Sequence, residues 1–266
     1  MKTRAGLRKE IYDEFKGILD STNELVRVAQ GMMAEMNQRG VLRPDSTSHE
    51  KASAVLFSEA YSRFLTVKLL CEDAMGNMSC IVLRSLLNLF IMFHWISKKR
   101  KEARAKRYVG WYWKMWKDKI ALAPSSYDPG RRREVEKNYN AIRHLYFYRV
   151  KDKATGKFKR KLAKSWYEPW TIERMAKDVG LEGHYEDGYR ILSRIEHVDP
   201  THVLLKSQTG KITFDPCFDR AVLNESLVMN FSYFRSICAT IDKAFSLGKE
   251  EVLRDLAQRQ RGFKRP

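Results

Sequence analysis

The sequence predicts an all-α protein, a mainly antiparallel helical bundle that carries two small β-hairpins. Three observations lead to it. Residues 79–97, SCIVLRSLLNLFIMFHWIS, are almost wholly apolar. Apolar side chains recur at helical spacing on both sides of that stretch, and the period shortens to that of a strand only around Thr155-Gly156 and around residues 208–210. A chain of 266 residues is long enough for a substantial core. We read residues 1–247 as one helical domain with hairpin insertions at about 146–164 and 202–215, and residues 248–266 as a tail that starts helical and ends basic.

The first helix follows from Leu7, Ile11, Phe15, Ile18, Leu25, Ala29, Met32 and Met36, which repeat at intervals of four, three or seven with Thr22 in the gap. Gly40 and Pro44 stop it. With only a few heptads, this seam suits one arm of an intramolecular hairpin better than an intermolecular coiled coil. Hydroxyls at residues 46–48 can cap a second helix reaching about Met75, with Val55, Leu56, Ala60, Phe64, Val67 and Leu70 inward. Gly76 and Asn77 separate it from the central helix. There Leu83, Leu86, Leu87, Phe90, Ile91, Phe93 and Ile96 cover most of the circumference, and Arg84, Ser85 and Asn88 share one side. A helix this apolar either crosses a membrane or is enclosed by other helices. Arg84 well inside the run, at roughly 2.5–3.5 kcal/mol on insertion scales, together with Asn88 and His94, favours enclosure. A buried Arg84 then needs a partner or a cavity.

The stretch KKRKEARAKRYVGWYWKMWKDKIALA predicts a fourth helix in which Tyr108, Trp111, Tyr112, Trp113 and Trp116 alternate with cations. Rings among cations can stack bases while the cations hold phosphate. Tyr108, Tyr112 and Trp116 nevertheless share one stripe, with Val109, Trp113 and Ile120 alongside, which reads better as core. Lys98, Lys99, Arg100, Arg104 and Arg107 are the candidate phosphate contacts of this segment. A loop at residues 124–130 leads to a helix running to about Tyr146, and then to the first hairpin. Its Lys157, Lys159, Arg160 and Lys161 are the second group of candidate contacts, because a two-stranded ribbon has too little core to explain so much charge. A solvated edge kept soluble by lysine is the competing account. Trp166, Pro169 and Trp170 then introduce a short helix over residues 171–179, closed by Gly180. After the second hairpin, a last long helix over about residues 218–247 turns Val222, Leu223, Leu227, Val228, Phe231, Phe234 and Ile237 inward and closes the bundle.

The net charge of +18 is concentrated: residues 98–119 hold ten basic and two acidic side chains, and residues 149–164 hold eight and one. Such an excess points to a polyanion, RNA or another nucleic acid, rather than to a neutral metabolite. A membrane surface is the weaker alternative, since no amphipathic Lys/Arg helix with a lipid-facing side is evident. Cys71, Cys80, Cys217 and Cys238 form no C-x-x-C pair, so neither a metal site nor a disulfide framework is expected, and no cofactor. A reduced, cytoplasmic setting fits. The opening MKTRAGLRKE lacks the apolar run of a secretory signal.

A second focus lies at residues 183–202, GHYEDGYRILSRIEHVDPTH. Tyr185, Tyr189, Leu192 and Ile195 form the buried stripe of a helix that Pro200 must end. Arg190, Ser193, Arg194 and His197 lie three, four or seven apart and gather on one face. His197 falls in the last turn, where the helix dipole favours its protonated form. A protonatable histidine among arginines suits metal-free phosphodiester chemistry, with one group moving a proton and the others bearing phosphorane charge. A histidine that merely satisfies a helix end is the competing reading.

The run SCIVLRSLLNLFIMFHWI followed by RAKRY, with M-A-K-D-V-G and Y-R-I-L-S-R-I-E-H-V-D-P further on, resembles a bacterial family known only as a domain of unknown function. Its members carry an R-S-L-L-E-like central helix and a later Y-x-x-L-S-x-x-x-H signature. That family is similar to the HEPN superfamily of small helical bundles, many of which are metal-independent RNases of toxin and phage-defence systems that act as homodimers. The resemblance implies a HEPN-like fold and a site in which His197 is general acid or base while Arg190, Arg194 or Arg84, with Ser193 on the same face, supports the phosphate. Arg190 and His197, with six residues between them, match the outer limit of that superfamily's spacing. The family's central-helix glutamate is Asn88 here, so Arg84 either pairs elsewhere, with Glu59, Glu72 or Glu196, or binds phosphate. Two functions are expected from this: an endoribonuclease of a bacterial defence or toxin system, or a non-catalytic nucleic-acid-binding adaptor or sensor working with a partner protein.

Overall fold

In the computed structural model, residues 3–98, 100–152, 154–189, 192 and 220–262 are described. The Thr3 hydroxyl accepts from the Gly6 amide and starts α1 (Arg4–Glu14), and α2 (Lys16–Gln38) follows at once. The single long helix expected here is therefore broken at Phe15, whose φ of −106° and ψ of 22° leave the helical region. The break has a packing reason: it lets α1 reach the next helix while α2 lies along the last two. Ile11 and Ile18, on either side of it, are both buried. Arg4 and Arg8 fasten α1 by each donating to the carboxylate of Asp73.

Thr47 and Glu50 form a reciprocal cap, each side chain accepting from the other's amide, and begin α3 (Ser48–Glu72). Glu102 from α5 (Lys101–Leu122) completes that end by accepting from the Ser48 and His49 amides, each at 3.0 Å. Leu56, Ala60, Phe64 and Val67 face inward as read, whereas Val55 is exposed. At 100° per residue it sits on the flank of the stripe that Ala52, Leu56 and Ala60 define.

The short turn after α3 sends α4 (Gly76–Ser97) back along it. By length and composition, α4 is the one described helix able to cross a bilayer, and here it is covered by α3, α5, α7 (Ile172–Val179) and α8 (Arg220–Phe245). Its Leu83, Leu86, Leu87, Phe90, Ile91, Phe93 and Ile96 are all buried. The α3–α8 contact is aromatic: Phe64 stacks on Phe234 with centroids 4.3 Å apart, and Phe57 lies parallel to the same ring. Truncating Phe64 to alanine costs about 3–5 kcal/mol in such a setting. Leu253 and Leu256 of α9 (Glu250–Arg261) are buried in the same core, so the stretch after Gly248 packs on α2 and α8.

The other half of α5 packs on α6 (Pro129–Ile142), which a single 3-10 turn, Arg143–Tyr146, joins to the hairpin. Strands β1 (Phe147–Lys151) and β2 (Phe158–Leu162) pair antiparallel with Arg149 opposite Arg160. The described chain is thus mainly all-α with one two-stranded sheet, as the sequence leads one to expect. The second hairpin expected at about 202–215 lies outside the described residues. Thr171 caps α7, Gly180 ends it at φ 78°, and a π-helical turn, His184–Tyr189, stands where the sequence predicted the start of an α-helix. Gly188 in that turn is buried, and a Cβ there would meet the Tyr233 hydroxyl at 2.9 Å, so close approach to α8 shapes the turn.

Candidate nucleic-acid interface

The hairpin presents its cations to solvent because it has no core layer on either side. Successive side chains of a strand point to opposite faces. One face therefore carries Phe147, Arg149 and Lys151 with Phe158, Arg160 and Leu162, and the other carries Tyr148 and Val150 with Lys159 and Lys161. Lys157, Lys159, Arg160 and Lys161 are all exposed. Lys159 pairs with Asp152 at 2.8 Å, Lys161 lies 3.8 Å from Glu168, and Arg160 covers the Phe147 ring at 4.1 Å. Arg149 and Lys151, also exposed, belong to the same surface and were not singled out from the sequence. The signal that would have found them is the strand register, which sets them opposite Arg160 and Phe158.

The α4–α5 junction divides its cations differently. Lys98 and Arg100 are exposed, Lys98 donating to the Asp178 carbonyl and Arg100 adopting a left-handed φ of 56° before α5; Lys99 lies outside the described residues. Arg104, one of the expected phosphate contacts, is engaged within the fold. It lies over the Trp95 ring at 4.0 Å and pairs with Asp178 at 2.8 Å, its side chain only 12% exposed. Arg107 is engaged as well: its guanidinium donates to the backbone carbonyls of Leu145, Trp166 and Glu168, tying α5 to the two ends of the hairpin. Burial holds its pKa below the ordinary value. Both arginines are spent on structure. The same helix also presents Lys101 and Lys106, which are exposed. Of the α5 aromatics, Tyr108 and Trp111 pack against the core, edge-on to Trp166 and Tyr146, and Trp116 meets Tyr127, whereas Tyr112, expected on the core stripe, is 49% exposed.

Of the second focus, Arg190, Ser193, Arg194 and His197 lie outside the described residues. The structure does describe the approach to it. Arg84 of α4 donates to the Tyr189 hydroxyl at 2.6 Å, and its guanidinium lies 4.5 Å from the centre of that ring. Of the acids considered as its partners, Glu59 pairs with Arg63 and Glu72 with Lys68. Tyr189 stacks on Tyr185, and Leu192 is buried in the core. Asn88, one turn beyond Arg84, has a buried side-chain oxygen with no hydrogen-bond partner among the described residues.

Between α4, the π-helical turn and α8 opens a cavity of about 850 Å³, lined by His184, Asp187, Glu225, Met229 and Tyr233 among others. Its carboxylates repel phosphate, so the cavity suits a polyanion poorly. Burial lowers the pKa of His184, and Phe90 and Tyr233 pack edge-on against its ring.

Among curated proteins and among solved structures, no match to the chain is found. One family model does match, over residues 50–211, which takes in α3 to α7, the hairpin and the segment that follows Tyr189. On that match the chain belongs to DUF5677, a family of unknown function.

Proposed function

We propose that the protein binds nucleic acid through the exposed cations of the hairpin and of the start of α5. The observation that carries this is the hairpin itself: Arg149, Lys151, Lys157, Lys159, Arg160 and Lys161 are exposed on a ribbon whose two faces bury no core. Folding does not require that charge, and a phosphate backbone uses it. The test is the affinity of the full chain for RNA and DNA across a salt series. We expect affinity to fall steeply with salt, and charge reversal at Lys157, Lys159, Arg160 and Lys161 to weaken binding and flatten the slope, by roughly 0.7 in log–log units per lost phosphate contact on a single strand. Unchanged binding after that reversal removes the hairpin from the function.

A second reading adds catalysis. The chain then acts as a HEPN-like, metal-independent endoribonuclease of a bacterial defence or toxin system, as a homodimer. The contact between Arg84 and Tyr189 favours it, because it joins the central R-S-L-L helix to the first residue of the Y-x-x-L-S-x-x-x-H run, the two stretches that carry the resemblance to the uncharacterised family. In the reaction the substrate's 2′-oxygen attacks the adjacent phosphorus and the bond to the 5′-oxygen breaks. His197 moves a proton from the 2′-hydroxyl or to the leaving 5′-oxygen, and Arg190, Arg194 or Arg84 bears the phosphorane charge. The expected products end in a 2′,3′-cyclic phosphate and form without divalent ions. Equal cleavage by parent and His197→Ala overturns this role for His197, and a parent that cleaves no RNA leaves a binding adaptor or sensor.

A further inference from the structure

We infer that the hairpin surface selects single-stranded over duplex nucleic acid, and that Phe158 is the residue that selects, by stacking on an unpaired base. This rests on the proposed nucleic-acid binding and names its substrate class. Phe158 is 69% exposed at the first position of β2, directly opposite Lys151 and between Lys157 and Lys159. An aromatic side chain buries 150–250 Å² when it serves a core or an interface, and here the ring is left in water at the tip of a ribbon with no core beneath it. Folding gives it nothing that a smaller strand-forming residue would not supply.

The other aromatics nearby are committed. Phe147 on the same face lies under the Arg160 guanidinium, Tyr148 on the opposite face donates to Glu168, and Trp166 is packed among Trp95, Tyr108 and Tyr167. Phe158 offers an open ring with lysines before, after and across from it. A ring that stacks a base, flanked by cations that hold the neighbouring phosphates, is how proteins bind a single strand with little regard to sequence. A duplex keeps its bases stacked on one another and has no face to give the ring.

The experiment measures the affinity of the full chain for a labelled 2′-O-methyl oligouridine strand and for a labelled duplex of the same length and backbone, whose 2′-oxygens cannot attack. Phe158→Ala is expected to weaken the single strand by about 5- to 100-fold, the effect of one lost base stack, while duplex affinity and salt slope stay as in the parent. Phe158→Trp is expected to bind the strand at least as well as the parent. Equal losses on strand and duplex, no loss on either, or a tryptophan variant as weak as the alanine one overturns the inference. In the no-loss case salt-dependent binding by the parent leaves the wider reading standing, whereas a parent that binds neither probe overturns both.

Discussion

Arg84 in α4 and Tyr189 in the π-helical turn hold each other twice, through a 2.6 Å hydrogen bond to the phenol oxygen and through the guanidinium 4.5 Å from the ring centre. The turn that leads into the Y-x-x-L-S run is thereby fixed to the central helix. A double-mutant cycle on Arg84→Met and Tyr189→Phe measures the hydrogen-bonded part of that coupling. We expect an interaction energy of about 1–2 kcal/mol, from chemical denaturation of the four proteins. A coupling near zero means the two side chains contribute independently.

His94 gives the fold an acid-sensitive point. Burial and the neighbouring charge of His184 push its pKa down to about 4 from an ordinary 6.5, while its Nε2 sits 3.1 Å from the Ser236 hydroxyl. Between those two values the unfolded chain binds more protons than the folded one, so stability falls as pH drops through 6.5 and the full loss is reached below 4. That loss is at most roughly 3 kcal/mol. His94→Phe keeps a ring against Phe90 and removes the titration. Its stability, followed by denaturant midpoint from pH 7 to pH 4, should decline less than the parent's.

Arg107 is expected to behave as a structural cation. Arg107→Lys preserves the charge but cannot reach the carbonyls of Leu145, Trp166 and Glu168 together. The loss of buried bonds to a charged donor is about 2–4 kcal/mol and lowers Tm by several degrees. Nucleic-acid affinity of the folded variant, measured well below that Tm, should match the parent's.

These side chains mark where the sequence was legible and where it was not. Periodicity found the buried faces of α3, α4 and α8, because Phe64, Phe90 and Phe234 obey a 3.6-residue repeat that burial enforces. The first hairpin was equally readable from its turn and its β-type flanks. The break at Phe15 was not, since the apolar repeat runs straight through it and only packing against two different partners requires the bend. Nor could composition sort the cations: Arg104 and Arg107 look in sequence like Lys101 and Lys106, and what separates them is the chance neighbourhood of Trp95, Asp178 and three open carbonyls. Arg190, Ser193, Arg194 and His197, expected from the sequence to do chemistry, lie outside the described residues.

Gly188 admits no side chain without displacing its neighbours. A methyl there would come within 2.9 Å of the Tyr233 hydroxyl, 3.1 Å of Met229 Cε and 3.2 Å of Leu87 Cδ2. Overpacking of this kind costs about 1–3 kcal/mol. Gly188→Ala should therefore lower Tm, and the change should appear as altered near-ultraviolet dichroism from the displaced Tyr233 rather than as lost helix content.

The carboxylate of Glu102 reaches across from α5 to accept the first two amides of α3, Ser48 and His49. Those amides cannot be shielded by anything local to their own helix, so their protection against deuterium reports whether α5 has docked. The opening turn of one helix is thus timed by the arrival of another fifty residues later in the chain, and Glu102→Gln should speed exchange at Ser48 and His49 while the centre of α3 exchanges as slowly as before.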